Sequence, residues 1–439
     1  MIATLTNTLS EASLATVERI ADMSGFEALR DEWNELLQAS DSNCLFLTWE
    51  WLYTWWKHLA GDRQLSILAV RCEGRLIALA PFGLRPASLL RRRPLPVLEF
   101  LGNGCVGSDY LDFIVRRGYE LEARQAFASR LSKERLVLDW AQLRRGSCFA
   151  AGVAADLAAT AELVSCRPLK LSGSWNGNKA LNEREPAQLE RAARSTAAEN
   201  APAAGSSARA PRVPTGWRVS ETISNTCPFI PLAGVSWETY LATLGAEQRY
   251  NFNRKWKRLN RDYSVQFEPV QREEQCRESM DLVIELHNMR WRGRGGSDAF
   301  HTPGLVEFHR EFSRIALKRG WLRLYVLRLN QTPAACLYGF SYGRTFYFYQ
   351  SGFDPAYHKQ SVGLVSMGLG IKSAIEEGAE EYDLLHGSEA YKSHWSRESR
   401  ELGRLELYPP GGMGQICRQA VTLERASRRI ARRVLTGIV

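Results

Sequence analysis

The sequence predicts a layered α/β protein of the α+β kind, built as two similar halves, each a mixed, mostly antiparallel sheet flanked by helices. Three observations carry this. From 171 to 216 the composition turns to Ala, Ser, Pro, Gly, Asn and Arg; so few β-branched and aromatic residues cannot bury enough apolar surface to offset their ordering entropy. A flexible insertion is therefore expected there, between an N-terminal domain over 17–170 and a C-terminal domain over 217–410. Both halves pass from helical spacing into alternating β-formers. In the second half, helices precede an antiparallel meander and one helix then crosses to a further strand, an order that implies a parallel last pair joined by a right-handed crossover.

In the first half, Phe26 to Leu37 has helical spacing, and the Trp-rich run Thr48 to Leu59 predicts a second, largely buried helix. LSILAVRCEGRLIALAPFGLR alternates on both sides of Glu73-Gly74 and predicts a hairpin. LEFLGNGCVGSDYLDFIV predicts two short strands around a Gly-rich loop, and Arg135 to Leu143 a further strand. In the second half, Ser236 to Leu259 and Arg272 to Arg292 predict helices, with a strand at VQFEPV between them. WLRLYVLRLNQTPAACLYGFSYGRTFYFYQSGFD predicts three strands turning at 330–333 and at Gly343-Arg344. A helix from Val362 to Gly378 and a strand from Tyr382 to Leu385 follow.

With 439 residues, 45% hydrophobic and 24% charged, the composition is that of an ordinary globular chain and excludes a disordered, collagenous or small disulfide-stapled protein. No run of about 18 apolar residues predicts a spanning helix, and the first twenty residues lack a secretory pattern, so a cytoplasmic protein is expected. Nine scattered cysteines, with no Cys-x-x-Cys pair and no Cys/His cluster at ligand spacing, predict reduced thiols and no metal site. The excess of 57 Lys and Arg over 48 Asp and Glu sits in three places: Arg91 to Arg93, Arg249 to Arg261, and Arg418 to Arg433. None has the aromatic interleaving of a nucleic-acid module.

A helix that opens directly after a strand presents unpaired N–H groups and a positive dipole end, suited to a pyrophosphate. Here the opening reads Gln360-Ser361-Val362-Gly363-Leu364-Val365. It resembles the Q/R-x-x-G-x-G/A signature of the GNAT acyltransferases, departing from it at Val365. The segments CPFIPL, SWETYL, EQRYNFNRKWKRLNRDY, LHNMRW, FYQSGFDPAYHKQSVGL and YDLLHGSEAYKSHW, and in the first half TWEWLYTWW, AVRCEGRLIALAPFGL and GSDYLDFIV, resemble the CelD-type family of the GNAT superfamily. That family is associated with cellulose and exopolysaccharide loci. The chain is similar, more remotely, to the FemAB-type peptidyltransferases with their tandem GNAT-like domains. The resemblance implies a degenerate first domain without cofactor and a second that binds acetyl-CoA or another acyl-CoA and acylates an amine or hydroxyl of a saccharide precursor.

Direct transfer from a thioester needs a neutral nucleophile, an acceptor for its proton, and stabilisation of the oxyanion and the departing thiolate. By the resemblance, Gln360 to Leu364 (Gln360, Ser361, Val362, Gly363, Leu364) hold the pyrophosphate and Tyr391 protonates the thiolate; backbone amides near Tyr349 to Gly352, Gln350 among them, are expected to hold the oxyanion. His386, whose ordinary pKa lies near neutrality, is one candidate base and Glu389 the other; a turn histidine and a solvated glutamate are the plainer alternatives. Asp383 reads as structural, bonding loop amides. His287 and Trp291, one helical turn apart, either face the acceptor or pack. Tyr347 shares a strand face with Tyr349 and either lines an acceptor groove or is core.

In RYNFNRKWKRLNRDY, Phe252, Trp256 and Leu259 mark a buried stripe and leave the cations on the opposite face, either solvated or docking a phosphate-bearing donor. Aminoacyl-tRNA use by the FemAB-type relatives keeps an RNA partner open. Residues 411–439 predict a basic amphipathic helix, either docked on the domain or lying peripherally on an anionic membrane face. A non-catalytic scaffold for a polysaccharide synthesis complex is the competing reading of the whole chain.

Overall fold

The structure, a computed structural model, describes residues 15–88, 93–165, 216–292, 299–387 and 389–436. The expected insertion, apart from Gly216, and the pair Arg91 and Arg92 lie outside the described residues.

The N-terminal half runs β1 (Thr16–Ile20), α1 (Met23–Ala28), α2 (Arg30–Gln38), α3 (Trp49–Leu59), β2 (Gln64–Leu65), β3 (Ile67–Cys72), β4 (Arg75–Ala80), β5 (Phe82–Arg85), β6 (Val97–Phe100), β7 (Ile114–Val115), α4 (Glu120–Leu131), β8 (Val137–Arg144) and α5 (Phe149–Ser165). Helix α3 begins where Thr48 caps it, its hydroxyl accepting from the Trp51 amide at 3.3 Å. The β3–β4 hairpin turns at Glu73-Gly74, both with positive φ, as a two-residue loop requires.

The C-terminal half continues with β9 (Arg218–Pro231), α6 (Trp237–Thr243), α7 (Ala246–Asp262), β10 (Val265–Pro269), α8 (Glu273–Trp291), α9 (Pro303–Lys318), β11 (Leu322–Leu329), β12 (Thr332–Tyr342), β13 (Thr345–Phe353), α10 (Val362–Glu376), β14 (Glu381–Asp383), β15 (Glu398–Tyr408) and α11 (Gly412–Thr436). The helix expected over Ser236 to Leu259 is two helices, because Leu244 leaves helical geometry with ψ of 150° and Gly245 opens the next. The first meander turn is tighter than 330–333: Asn330 and Gln331 alone make it, at φ 48° and 71°.

Both halves contain a parallel strand pair bridged by a helix, β6/β8 across α4 and β13/β14 across α10. They share one eleven-stranded sheet, in the order β10-β11-β12-β13-β14-β9-β15-β8-β6-β5-β2, with a separate antiparallel sheet β1-β3-β4-β7 in the first half. The join is β15, which pairs with β9 on one side and β8 on the other. One apolar cluster crosses it: Trp51, fully buried, meets Phe308 and Phe312 edge-on at 4.9 and 4.7 Å. On the opposite face of the sheet, Phe346, Phe348 and Tyr382 pack with Met367 and Ile371 of α10. No helix among the described residues is long and apolar enough to cross a membrane.

Candidate active site

The loop after β13 is held in place by its own polar groups. Asp354 accepts from the Ala356 amide at 2.9 Å, and Ser361 takes the left-handed conformation at φ 58° immediately before α10. The Val365 amide already bonds Ser361 O at 3.1 Å, so the amides of Val362, Gly363 and Leu364 form the unpaired opening of the helix. Val365, where the motif departs, is fully buried among Leu259, Leu327 and Ala335 and points away from that opening. Gln360 donates through Nε2 to Tyr263 OH at 3.1 Å, while its Oε1 is buried with no partner among the described residues. Lys255 of α7 reaches the same loop, donating to Lys359 O at 3.3 Å.

Upstream, β13 carries a bulge. Tyr338 opposes Gln350 and Gly339 opposes Phe348, leaving Tyr349 extra. A Cβ at Gly339 would stand 2.5 Å from Tyr347 O, so the bulge needs glycine opposite it. β13 pairs with β14 only over Thr345–Tyr347; the chain beyond Asp383 follows β9 instead, the Leu384 amide bonding Pro228 O at 2.9 Å. The two parallel strands thus splay apart just where α10 begins. Between β13 and α10 lies a cavity of about 10 Å³ lined by Ser351, Gly352, Phe353, Gly363, Ser366 and Met367, in which the buried Ser366 hydroxyl has no partner among the described residues. Unpaired amides, two glycines and the orphaned Ser366 hydroxyl, a donor, suit the phosphate end of an acyl-CoA, whereas the orphaned Gln360 Oε1 is an acceptor and offers a phosphate oxygen no hydrogen bond; the cleft itself is narrow.

His386 follows β14 and is half-buried. Its Nδ1 lies 2.8 Å from Asp109 Oδ1, and its backbone N–H donates to Asp109 Oδ2 at 2.8 Å. Burial opposes its charging, but the adjacent carboxylate outweighs burial and lifts its pKa above the ordinary histidine value. Glu389 is exposed and pairs with Lys392 at 3.0 Å; Lys392 is itself buried and donates to the carbonyls of Leu385 and His386 at 3.2 and 2.7 Å. Tyr391 packs beside Phe348 and under the Arg290 guanidinium, 5.6 Å from its ring, and burial pushes its phenol well above the usual range. Asp383 bonds the Leu385 amide at 2.7 Å and receives the Tyr110 hydroxyl at 2.6 Å, and burial pushes it up to about 7.

Both faces of the sheet are covered, and the remaining candidates sit on the side away from α10 or at its edge. Tyr347 is 5% exposed against Phe46 and lines a cavity of about 630 Å³ with Asp41, Asn43, Arg144, Glu381 and Arg400. The Tyr349 hydroxyl bonds Val106 O and lies 3.3 Å from His309 Nε2. The Gln350 side chain accepts from the Ser351 amide at 3.1 Å. His287 is buried, its Nδ1 3.1 Å from Ser351 O, and desolvation lowers it to about 4. Its helix approaches so closely that any side chain at Gly352 would strike the His287 backbone. Trp291 lies half-buried beside His287. Two residues that sequence reasoning missed stand out: Asp109, contributed by the N-terminal half, and His309, fully buried between Tyr338 and Tyr349. The available signal for Asp109 was a carboxylate directly after a Gly-rich loop in an otherwise apolar strand region.

Residues 246–393 match the family described as an acetyltransferase (GNAT) domain. No curated protein matches the chain in sequence. Among solved structures, FemX superposes with a TM-score of 0.54 at 10% identity, over 88% of this chain and 96% of that one. A conserved protein of unknown function from Bacteroides thetaiotaomicron VPI-5482 is similar at a TM-score of 0.47 and 12% identity, over 89% and 99%. A tandem GNAT protein from the clavulanic acid biosynthesis pathway is similar at 0.41 and 10%, over 89% and 98%. Residues 246–393, in the C-terminal half, thus match a GNAT acetyltransferase domain, and the chain as a whole is similar in fold to FemX.

Proposed function

We propose that the protein is an acyl-CoA-dependent N- or O-acyltransferase, with acetyl-CoA the first candidate donor and a saccharide precursor of an exopolysaccharide or cellulose the acceptor. The observation that carries this reading is the open N-terminus of α10 at the end of a bulged strand that splays from its parallel neighbour. The amides of Val362, Gly363 and Leu364 hold the pyrophosphate, and the unpaired edge of β13 from Tyr349 onward receives the thioester arm. A bound acyl-CoA supplies the activated acyl group. His386 takes the acceptor's proton at Nε2, and the Tyr391 phenol, kept protonated by its burial, donates toward the leaving thiolate. Glu389 is the second base candidate; its exposure and its pairing with Lys392 favour His386 over it. Polar groups around the cavity beside Tyr347 suit a hydroxyl- or amine-rich acceptor; the saccharide assignment itself rests on the sequence resemblance. On this reading 17–170 is the degenerate domain, 217–410 the transferase domain, 171–216 an insertion, and 411–439 a helix for peripheral contact with the inner membrane face of a cytoplasmic protein.

The narrow cleft, about 10 Å³, favours one second reading, a GNAT-shaped scaffold without catalysis. Isothermal titration of acetyl-CoA into the full chain separates the two. A Cβ at Gly363 would meet only the Phe353 ring, at 3.4 Å, so Gly363→Glu is tolerated by the fold while placing a carboxylate at the proposed phosphate site. The expected result is binding by the unmodified chain and a loss of at least about tenfold in the variant, one charge-assisted contact being worth 1.5–3 kcal/mol in general. No heat and no thermal shift with any acyl-CoA would sink the transferase reading. A third possibility, aminoacyl transfer from tRNA, draws on the exposed Arg254, Lys257, Arg258 and Arg261 of α7 and requires a salt-sensitive tRNA gel shift.

A further inference from the structure

Asp109 is 0% exposed, and its carboxylate is saturated with donors: the His386 backbone N–H at 2.8 Å and the Cys227 thiol at 3.6 Å on Oδ2, and His386 Nδ1 at 2.8 Å and Gln142 Nε2 at 3.1 Å on Oδ1. Neither Arg nor Lys pairs with it among the described residues; His386 is its one ion-pair partner there. A buried carboxylate without a fixed cation is costly, so Asp109 favours an imidazolium whenever His386 takes up a proton. The loop that delivers Asp109 follows β6, the first strand of the N-terminal half's own parallel pair. Trp51 Nε1 fixes its Ser108 at 2.8 Å within the N-terminal half, and the loop then reaches the C-terminal half, where Val106 O receives the Tyr349 hydroxyl and Gly107, at φ 69°, lies so close that a Cβ there would stand 3.3 Å from His386 Cε1. The same contacts leave His386 Nε2 with no protein hydrogen bond among the described residues, on a side chain 34% exposed.

We propose that Asp109 is a positioning residue for acyl transfer, supplied by the N-terminal half: it holds His386 in the tautomer protonated at Nδ1, with Nε2 bare toward the acceptor, and stabilises the imidazolium formed when Nε2 takes the acceptor's proton. This rests on the transferase reading above. As the acceptor's oxygen or nitrogen bonds the acyl carbon, its proton passes to Nε2; the carbon–sulfur bond breaks, the thiolate takes its proton from Tyr391, and both side chains re-equilibrate with water. The N-terminal half then has a function that needs no cofactor of its own: its loop completes the site.

The groups that set the charge of His386 are Asp109 and Glu389, which raise its pKa, and Lys392, which lowers it, with neutral Cys227 bonded to the same carboxylate. The test is an NMR titration of the histidine ring nitrogens in the full chain, with His386 identified by its disappearance in His386→Gln. The titration is run beside acetyl-CoA calorimetry and acetyl-CoA turnover with glucosamine as the probe acceptor. The expected result is a His386 that titrates above 6.5 as the Nδ1–H tautomer; in Asp109→Asn the titration moves down and the tautomer is lost, while acetyl-CoA affinity stays within about twofold. Turnover then falls at least tenfold in Asp109→Asn and about a hundredfold in His386→Gln, the span general-base catalysis ordinarily covers. If Asp109→Asn does not fold, Gln142→Asn, which shortens the neutral donor to Oδ1 at a residue with positive φ, must move the His386 titration upward. A His386 titration indifferent to these changes overturns the inference, as does turnover unchanged in both variants. A chain that binds no acetyl-CoA at all overturns the transferase reading first, and the catalytic role of Asp109 with it.

Discussion

At the scale of single residues, burial sets most of the protonation states. His287 and His309 are both 1% exposed, and desolvation holds them near 4 and near 3, far below the ordinary 6.5. Each is neutral in the fold and takes up a proton on unfolding. The unfolded state therefore binds more protons below pH 6.5, so stability is complete above that value and declines as pH falls, levelling below about 4 for His287 and about 3 for His309. Each shift corresponds to several kcal/mol at the acid end, at about 1.4 kcal/mol per unit of pKa. Thermal melts of His309→Gln at pH 7, 6, 5 and 4.5 should show a dependence shallower by about one proton than the unmodified chain; parallel curves would contradict it. Sequence alone names His287 and His386 but cannot separate them. His287 faces α8's close approach to Gly352 and His386 faces a buried acid, a distinction that depends on contacts 64 and 277 positions away along the chain.

At the scale of elements, what is local is legible. The Trp-rich helix, the Glu73-Gly74 turn, the meander and the crossover to β14 all follow from patterns local in the chain, and the structure has each of them. Strands β9 and β15 do not follow in this way. RVSETISNTCPFIP leaves most of its first nine side chains exposed, so the alternation that marks a half-buried strand is absent, and its partner lies about 180 positions on. Helix α11 is partly legible: a basic amphipathic helix is present, but Cys417 is buried and Arg425 is bound to Glu406 at 2.7 Å, so one side is docked. Its free side carries Met413, Ile416 and Leu423, 50–66% exposed and spaced to share one face, with Arg418 also exposed; the side chains of Arg428, Arg429, Ile430, Arg432, Arg433, Val434 and Leu435 lie outside those described. If that face meets lipid, Ile416→Glu with Leu423→Glu abolishes co-sedimentation with phosphatidylglycerol vesicles at low salt without lowering the melting temperature. Equal sedimentation of variant and parent would leave α11 a purely docked helix.

At the scale of the molecule, the two halves are one folding unit joined like a core. The sheet runs uninterrupted from β8 to β15 to β9, and Arg404 of the C-terminal half clasps Asp139 of the N-terminal half through two hydrogen bonds, at 2.7 and 2.6 Å. Between α3 and the end of α9, Glu50 is 1% exposed and pairs with Arg319, its other partner being Asn34 at 2.9 Å. Arg319→Met strands a buried carboxylate at this seam and should cost about 2–3 kcal/mol, less than the roughly 3–5 kcal/mol of a fully buried pair because the Arg319 side chain is 43% exposed. Adding Glu50→Gln removes the stranded charge and should recover most of the loss. Since the core is continuous, the seam and both halves should unfold in a single transition in which calorimetric and van't Hoff enthalpies agree, and Arg319→Met should move that whole transition to lower temperature. A biphasic melt in which only one phase moves would mean that the halves fold independently. Asp109 would then reach His386 only while the two remain docked, and loss of turnover on mild heating would precede unfolding of the C-terminal half.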